Sequence, residues 1–156
     1  MSHRIVSLLT VSTALAALGF AYFAQYVLLL TPCELCLWER WPYRVVVLVA
    51  VLAGLSKPRT TRLFLGAAGL VMLANVFIAG LHVGVEWGWW NSPLPECNGM
   101  LVPGAALPMV PATPCDRPVY LVPGIPVSFA MLDFLASALF GSLLLGYSGR
   151  KERRFR

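Results

Sequence analysis

Apolar and polar positions separate along this chain into broad blocks. Apolar runs cover residues 5–30, 43–55, 63–85 and 127–147, joined by short polar connections and one long proline-rich stretch. Three of the runs match or exceed the about 20 residues that a helix needs to cross a hydrocarbon core. The second is too short alone. Its missing length lies upstream, in TPCELCLWERWPYR (31–44), where Thr31, Pro32 and Glu34 read as the N-cap, first position and third position of a capping box. A helix over 32–55 has 24 residues, about 36 Å, and is then long enough to span. Pro42 removes one of its hydrogen bonds and is expected to kink it near Trp38. The predicted fold is an all-α membrane protein: a single domain over residues 1–156, a bundle of four transmembrane helices at about 5–30, 32–55, 63–85 and 127–147.

Composition agrees. The chain is 58% hydrophobic and 12% charged, with a mean hydropathy of +0.74, which argues against a soluble globule. The first run, at 26 residues, is longer than a signal-peptide core of about 7–15 and is expected to stay.

Charge orients the bundle. Arg4, then Lys57, Arg59 and Arg62, then Arg150, Lys151, Arg153, Arg154 and Arg156 are nine of the twelve basic residues, and all fall on one side of a four-span topology. By the positive-inside rule that side is cytoplasmic, so both termini, including a basic tail at 148–156, are expected there. The connections at 31–42 and 86–126 then face outward and hold all four cysteines. The net charge of +5 is topogenic, and the split basic residues do not make a nucleic-acid surface. Trp38, Trp41, Tyr43, Trp87, Trp89 and Trp90 cluster at the outward ends of spans two and three, as an interfacial belt does. The 41-residue outer loop contains nine of the twelve prolines, which disfavours regular structure, although an apolar piece at 100–110 is suited to rest on the membrane surface.

Cys33 and Cys36 form a C-x-x-C pair, and Cys97 and Cys115 lie in the long loop. Outward cysteines fit an oxidising compartment. Of three connectivities, pairing 33 with 36 and 97 with 115 is favoured because each bond closes within its own loop. Four-thiolate zinc is disfavoured by the wide 97/115 spacing, and haem attachment by Leu37 after the second cysteine. A purely structural cross-link remains open for the loop pair, where it is worth on the order of 3 kcal/mol. The tight C-x-x-C ring stabilises little and points to redox chemistry.

A helical start before Cys33 puts Cys33, Cys36, Arg40 and Arg44 on one face, with the thiols in the first turn, where the dipole favours thiolate. Arginine at that depth is costly and marks a ligand or redox path. His82, near the outer end of span three, is a candidate hydrogen-bond or proton donor, with a packed histidine as the alternative. Asp133, two turns into span four, is expected to pair with Arg44 or Arg40.

These residues together resemble the DsbB-type disulfide bond formation proteins of bacterial inner membranes: four spans, C-E-L-C opening the second, Arg40 four residues later, and a second cysteine pair in the outer loop. The resemblance implies a thiol:quinone oxidoreductase that reoxidises a periplasmic thioredoxin-fold, DsbA-like dithiol protein, with ubiquinone or menaquinone as the acceptor. It implies that Cys97 forms the mixed disulfide with the partner and that Cys115 is its pair. Cys33 then exchanges with the loop cysteines, Cys36 contacts the quinone as thiolate, and Arg40 and His82 help to hold the quinone. The segment between Cys97 and Cys115 is short and carries four prolines, so the surface helix of that loop is expected to be reduced. Two other readings compete: a vitamin K epoxide reductase-like oxidoreductase, whose C-x-x-C sits late in the chain, and a non-enzymatic membrane protein braced by disulfides.

Overall fold

The computed structural model describes residues 2–98, 113–120 and 126–150. Among these, four α-helices follow one another: α1 (His3–Tyr26), α2 (Glu34–Leu55), α3 (Pro58–Glu86) and α4 (Phe129–Gly149), with one 3-10 turn at Pro95–Asn98. The described residues contain no strand, only an isolated antiparallel bridge between Tyr120 and Ser128. α1, α3 and α4 are each long and apolar enough to cross a membrane. α2 has 22 residues; its charges, Glu39, Arg40 and Arg44, rather than its length, set it apart.

The helix limits differ from the apolar runs for identifiable reasons. α1 stops at Tyr26 although the leucines continue: the Phe23 carbonyl accepts from both Val27 and Leu28, and Leu29 turns the chain at φ 54°. Apolarity does not encode that stop. α2 begins at Glu34, not Pro32, because Cys33 takes the N-cap expected of Thr31. α3 begins at Pro58, five residues before its apolar run, and so includes Arg59 and Arg62; a run marks the length suited to lipid rather than the end of the hydrogen-bond ladder. α4 starts at Phe129 because the Ser128 hydroxyl caps it, accepting from the Met131 amide at 3.2 Å. α2 runs through Pro42 as one helix. The apolar piece at 100–110 lies outside the described residues.

α4 packs on α3, α3 on α2 and α2 on α1. The α3–α4 crossing depends on small residues: a Cβ at Gly69 would meet a Leu145 side-chain carbon at 2.9 Å, and one at Gly141 would meet the Gly69 carbonyl oxygen at 3.1 Å. Without water to drive helices together, close backbone approach of this kind supplies the packing. Val46, Ala50, Ala53, Leu65, Ala68 and Met72 are fully buried between α2 and α3. Leu8, Leu15, Leu135, Leu139 and Leu143 stand exposed on the outer faces of α1 and α4, as lipid-facing residues do. α1 and α4 meet through rings at opposite ends, Phe20 on Phe129 and His3 against Tyr147. On the α2 side, a cavity opens between them.

Candidate functional site

The site starts with the cap of α2. Cys33 is extended (φ −75°, ψ 169°), and its sulfur accepts the amide of Cys36 at 3.3 Å. An amide aimed at sulfur at the positive end of a helix favours the thiolate, and it is aimed at Cys33, one turn before Cys36. Both cysteines are free thiols in this structure rather than the disulfide expected from their spacing.

Cys33 also meets α3. Its Sγ lies 3.5 Å from His82 Nε2, and His82 Nδ1 donates to the Glu39 carboxylate at 2.8 Å. In the neutral ring that donation makes Nε2 the acceptor that faces the thiol. Both His82 and Glu39 are buried. Glu39 was not singled out from the sequence. It follows Cys36 by three residues, so it shares the cysteine face of α2, and that spacing is the signal that would have found it.

The loop pair closes on the same place. Cys97 and Cys115 form a disulfide with Cα atoms 4.9 Å apart, as the favoured pairing expects. Both are buried, in one cluster with Cys33, Leu35 and Val85, against which Cys36, Leu81 and Leu94 pack. The two cysteine pairs, 61 or more residues apart in sequence, therefore share one packed core at the end of the bundle where α2 begins and α3 stops.

On its other side Cys36 lines the cavity between α1, α2 and α4, about 220 Å³ in volume. Its walls are mostly apolar, among them Leu18, Phe20, Phe129 and Leu132, and its polar groups come from Cys36, Glu39, Arg40, Tyr43, Gln25 and Asp133. Arg40 is 7% exposed, donates to Gln25 Oε1 at 2.6 Å and lies over the Tyr22 ring at 5.0 Å. It is held inside the protein rather than reaching out to a headgroup. An apolar slot with a few convergent donors is the usual form of a site for a small planar ligand.

Asp133 does not pair with either arginine. It accepts from Tyr43 at 2.6 Å and from Asn75 at 2.9 Å, and Asn75 also donates to Ser137 at 2.8 Å. Arg44 instead donates to the Tyr22 hydroxyl at 2.7 Å and stacks over Trp41 at 4.9 Å. Neutral donors from α2 and α3 reach the carboxylate first, so a buried acid here needs no cation. Glu86, the last residue of α3, accepts from the Ser128 hydroxyl.

The comparisons with known proteins agree with the arrangement. The family described as "Disulfide bond formation protein DsbB" matches residues 3–146. A Polaromonas sp. (strain JS666 / ATCC BAA-500) protein named "Disulfide bond formation protein B" is 28% identical, over 97% of this chain and 95% of its own. One of the same name from Acinetobacter baumannii (strain ATCC 17978) is 33% identical over 55% of this chain and 52% of its own. "Uncharacterized protein RP370" of Rickettsia prowazekii (strain Madrid E) is 25% identical over 93% and 89%. No solved structure matches.

Proposed function

The chain belongs to the disulfide bond formation protein DsbB family of disulfide-forming membrane oxidoreductases, and from that premise we propose that it reoxidises a periplasmic DsbA-like dithiol protein and passes the electrons to a membrane quinone. The observation that carries this reading is the packing of Cys33 and Cys36 against the Cys97–Cys115 disulfide, with Cys36 also lining the apolar cavity.

The chemistry runs inward. A thiolate of the reduced partner attacks Cys97, forming a mixed disulfide and releasing Cys115 as thiolate. The partner's second thiol then displaces Cys97, leaving the partner oxidised and the loop pair reduced. The loop dithiol next reduces the Cys33–Cys36 disulfide by the same exchange through Cys33. That transfer leaves the loop pair bonded and the inner pair as two free thiols. His82 Nε2 is placed to take the Cys33 proton, and Glu39 to stabilise the resulting imidazolium. Because Cys97 and Cys115 are buried, Cys97 has to be uncovered before the partner's thiolate can attack it.

The cavity fits a quinone ring: apolar walls accept the ring, and the remaining N–H groups of the Arg40 guanidinium supply donors for a carbonyl oxygen beside Cys36. When bound there, ubiquinone or menaquinone supplies an acceptor for two electrons and two protons per dithiol oxidised. Glutathione-type buffers are too reducing to drain a strongly oxidising partner, whereas a lipid-soluble quinone is not. The four helices form four spans with both termini in the cytoplasm of a bacterial inner membrane, and the cysteine-bearing ends face the periplasm.

The test is quinone-dependent oxidation of a reduced DsbA-like protein by the purified chain. Wild type is expected to turn over and Cys36→Ser to fall to background; an inactive wild type or a fully active Cys36→Ser overturns the reading. Cys115→Ser is expected to trap a Cys97–partner mixed disulfide on a non-reducing gel. Arg40→Ala is expected to raise the quinone KM about 10- to 100-fold, the loss of one charge-assisted hydrogen bond of about 1.5–3 kcal/mol.

A further inference from the structure

Cys33 Sγ, Cys36 Sγ and a ring nitrogen of His82 lie within 4.8 Å of one another. We propose that, when the inner pair is reduced, these three side chains form a site for a thiophilic divalent cation of the Zn²⁺ class, which holds the dithiol out of exchange.

The donor set argues for this. Two thiolates and an imidazole are the ligands zinc prefers. A sulfur at about 2.3 Å and a nitrogen at about 2.0 Å from one tetrahedral centre stand about 3.5 Å apart, and Cys33 Sγ and His82 Nε2 are 3.5 Å apart. The histidine is already arranged as a ligand: Nδ1–H donates to Glu39, so Nε2 presents its lone pair toward the sulfurs. A carboxylate behind the histidine is the usual second-shell support of a metal-bound imidazole. Charge also closes. Two thiolates cancel the cation, so the ion and its sulfur ligands together carry no net charge. A fourth position is left for water or another small ligand, as in zinc sites with three protein ligands.

Binding replaces two S–H bonds by two S–Zn bonds and releases two protons per ion, with no change of oxidation state. Only the dithiol qualifies, because a disulfide has no thiolate to offer. The site itself does not depend on the proposed acceptor or partner; only its inhibitory consequence rests on the redox reading.

The experiment uses the full chain in detergent with Zn²⁺ alone, and Co²⁺ as a spectroscopic substitute. Reduced protein is expected to retain about one Zn²⁺ per chain after desalting, and its Co²⁺ form to show thiolate-to-metal charge transfer with tetrahedral d–d bands. The Cys97→Ser/Cys115→Ser variant is expected to do the same, which locates the ion at the inner pair. Glu39→Gln is expected to weaken affinity about 10- to 100-fold, and Cys36→Ser and His82→Ala to abolish stoichiometric binding. The wild-type chain with its Cys33–Cys36 bond formed must not bind, a comparison that needs no mutation. Absent binding by the reduced wild type, equal binding by the oxidised chain, or loss of binding in the loop-cysteine variant overturns the proposal. None of these readouts uses quinone or partner, so a chain inactive as an oxidase still tests the site.

Discussion

Glu39 shows how a residue without redox chemistry of its own governs residues that have it. Its carboxylate is the only hydrogen-bond partner recorded for His82 Nδ1 among the described residues, and the two lie buried together. Glu39→Leu is expected to strand that N–H and cost about 1–3 kcal/mol, read as a lower unfolding temperature in detergent; Glu39→Gln, which still offers an acceptor, is expected to lose less. Tyr43→Phe keeps the ring and removes a hydrogen bond to Asp133 and another to Ser137. It is expected to cost about 1.5–3 kcal/mol, since one acceptor is ionisable, and the same melt checks it. The sequence made Cys33, Cys36, Arg40 and His82 visible, because each is an expensive or reactive type at a membrane boundary. It did not reveal who holds them. Gln25, Tyr22 and Asn75 are ordinary residues whose role depends on which helix faces which, and one chain's periodicity gives faces without neighbours. The Asp133–arginine expectation failed for the same reason: it matched charges and overlooked that a phenol and an amide are closer.

Helix ends and crossings carry the second layer. Trp90 folds back on α3, its indole N–H donating to the Leu81 carbonyl at 3.0 Å, and it lies so close over Gly84 that an added Cβ would fall 2.0 Å from a ring carbon. Gly84→Ala is therefore expected to destabilise by about 1–3 kcal/mol. In a double-mutant cycle, Trp90→Ala should recover much of that loss; additive losses would mean the ring is not the obstacle. α1, α3 and α4 were legible from their apolar runs because each is long and apolar enough to cross a membrane, whereas α2 needed the polar stretch upstream of its short run. Their ends were less so. A cap can be any residue with a suitable acceptor, and here a cysteine sulfur displaced the more usual threonine. A proline and two arginines extended α3 beyond its apolar part.

At the scale of the molecule, the arrangement separates a basic end from a cysteine-bearing end along the helix axes. With the native cysteines replaced by serine, a membrane-impermeant maleimide added to intact cells whose outer membrane has been permeabilised is expected to label Asn91→Cys and not Lys57→Cys. The opposite pattern reverses the orientation. That the basic residues and the cysteines lie at opposite ends was readable from where they fall between the apolar runs. What charge does not foretell is that the long loop returns to the place it left: Glu86 ends α3, Ser128 caps α4, and the two are joined by a hydrogen bond. That latch makes the intervening stretch a handle fastened at both ends. The entropic cost of lengthening such a handle grows only slowly, about 0.6 kcal/mol per doubling, so the chain between Cys97 and Cys115 can change in length at small cost while Trp90 and the two cysteines keep their places on α2 and α3. Under the proposed function, exchanging residues 87–127 between relatives is expected to change which dithiol partner is accepted and to leave the choice of quinone unchanged.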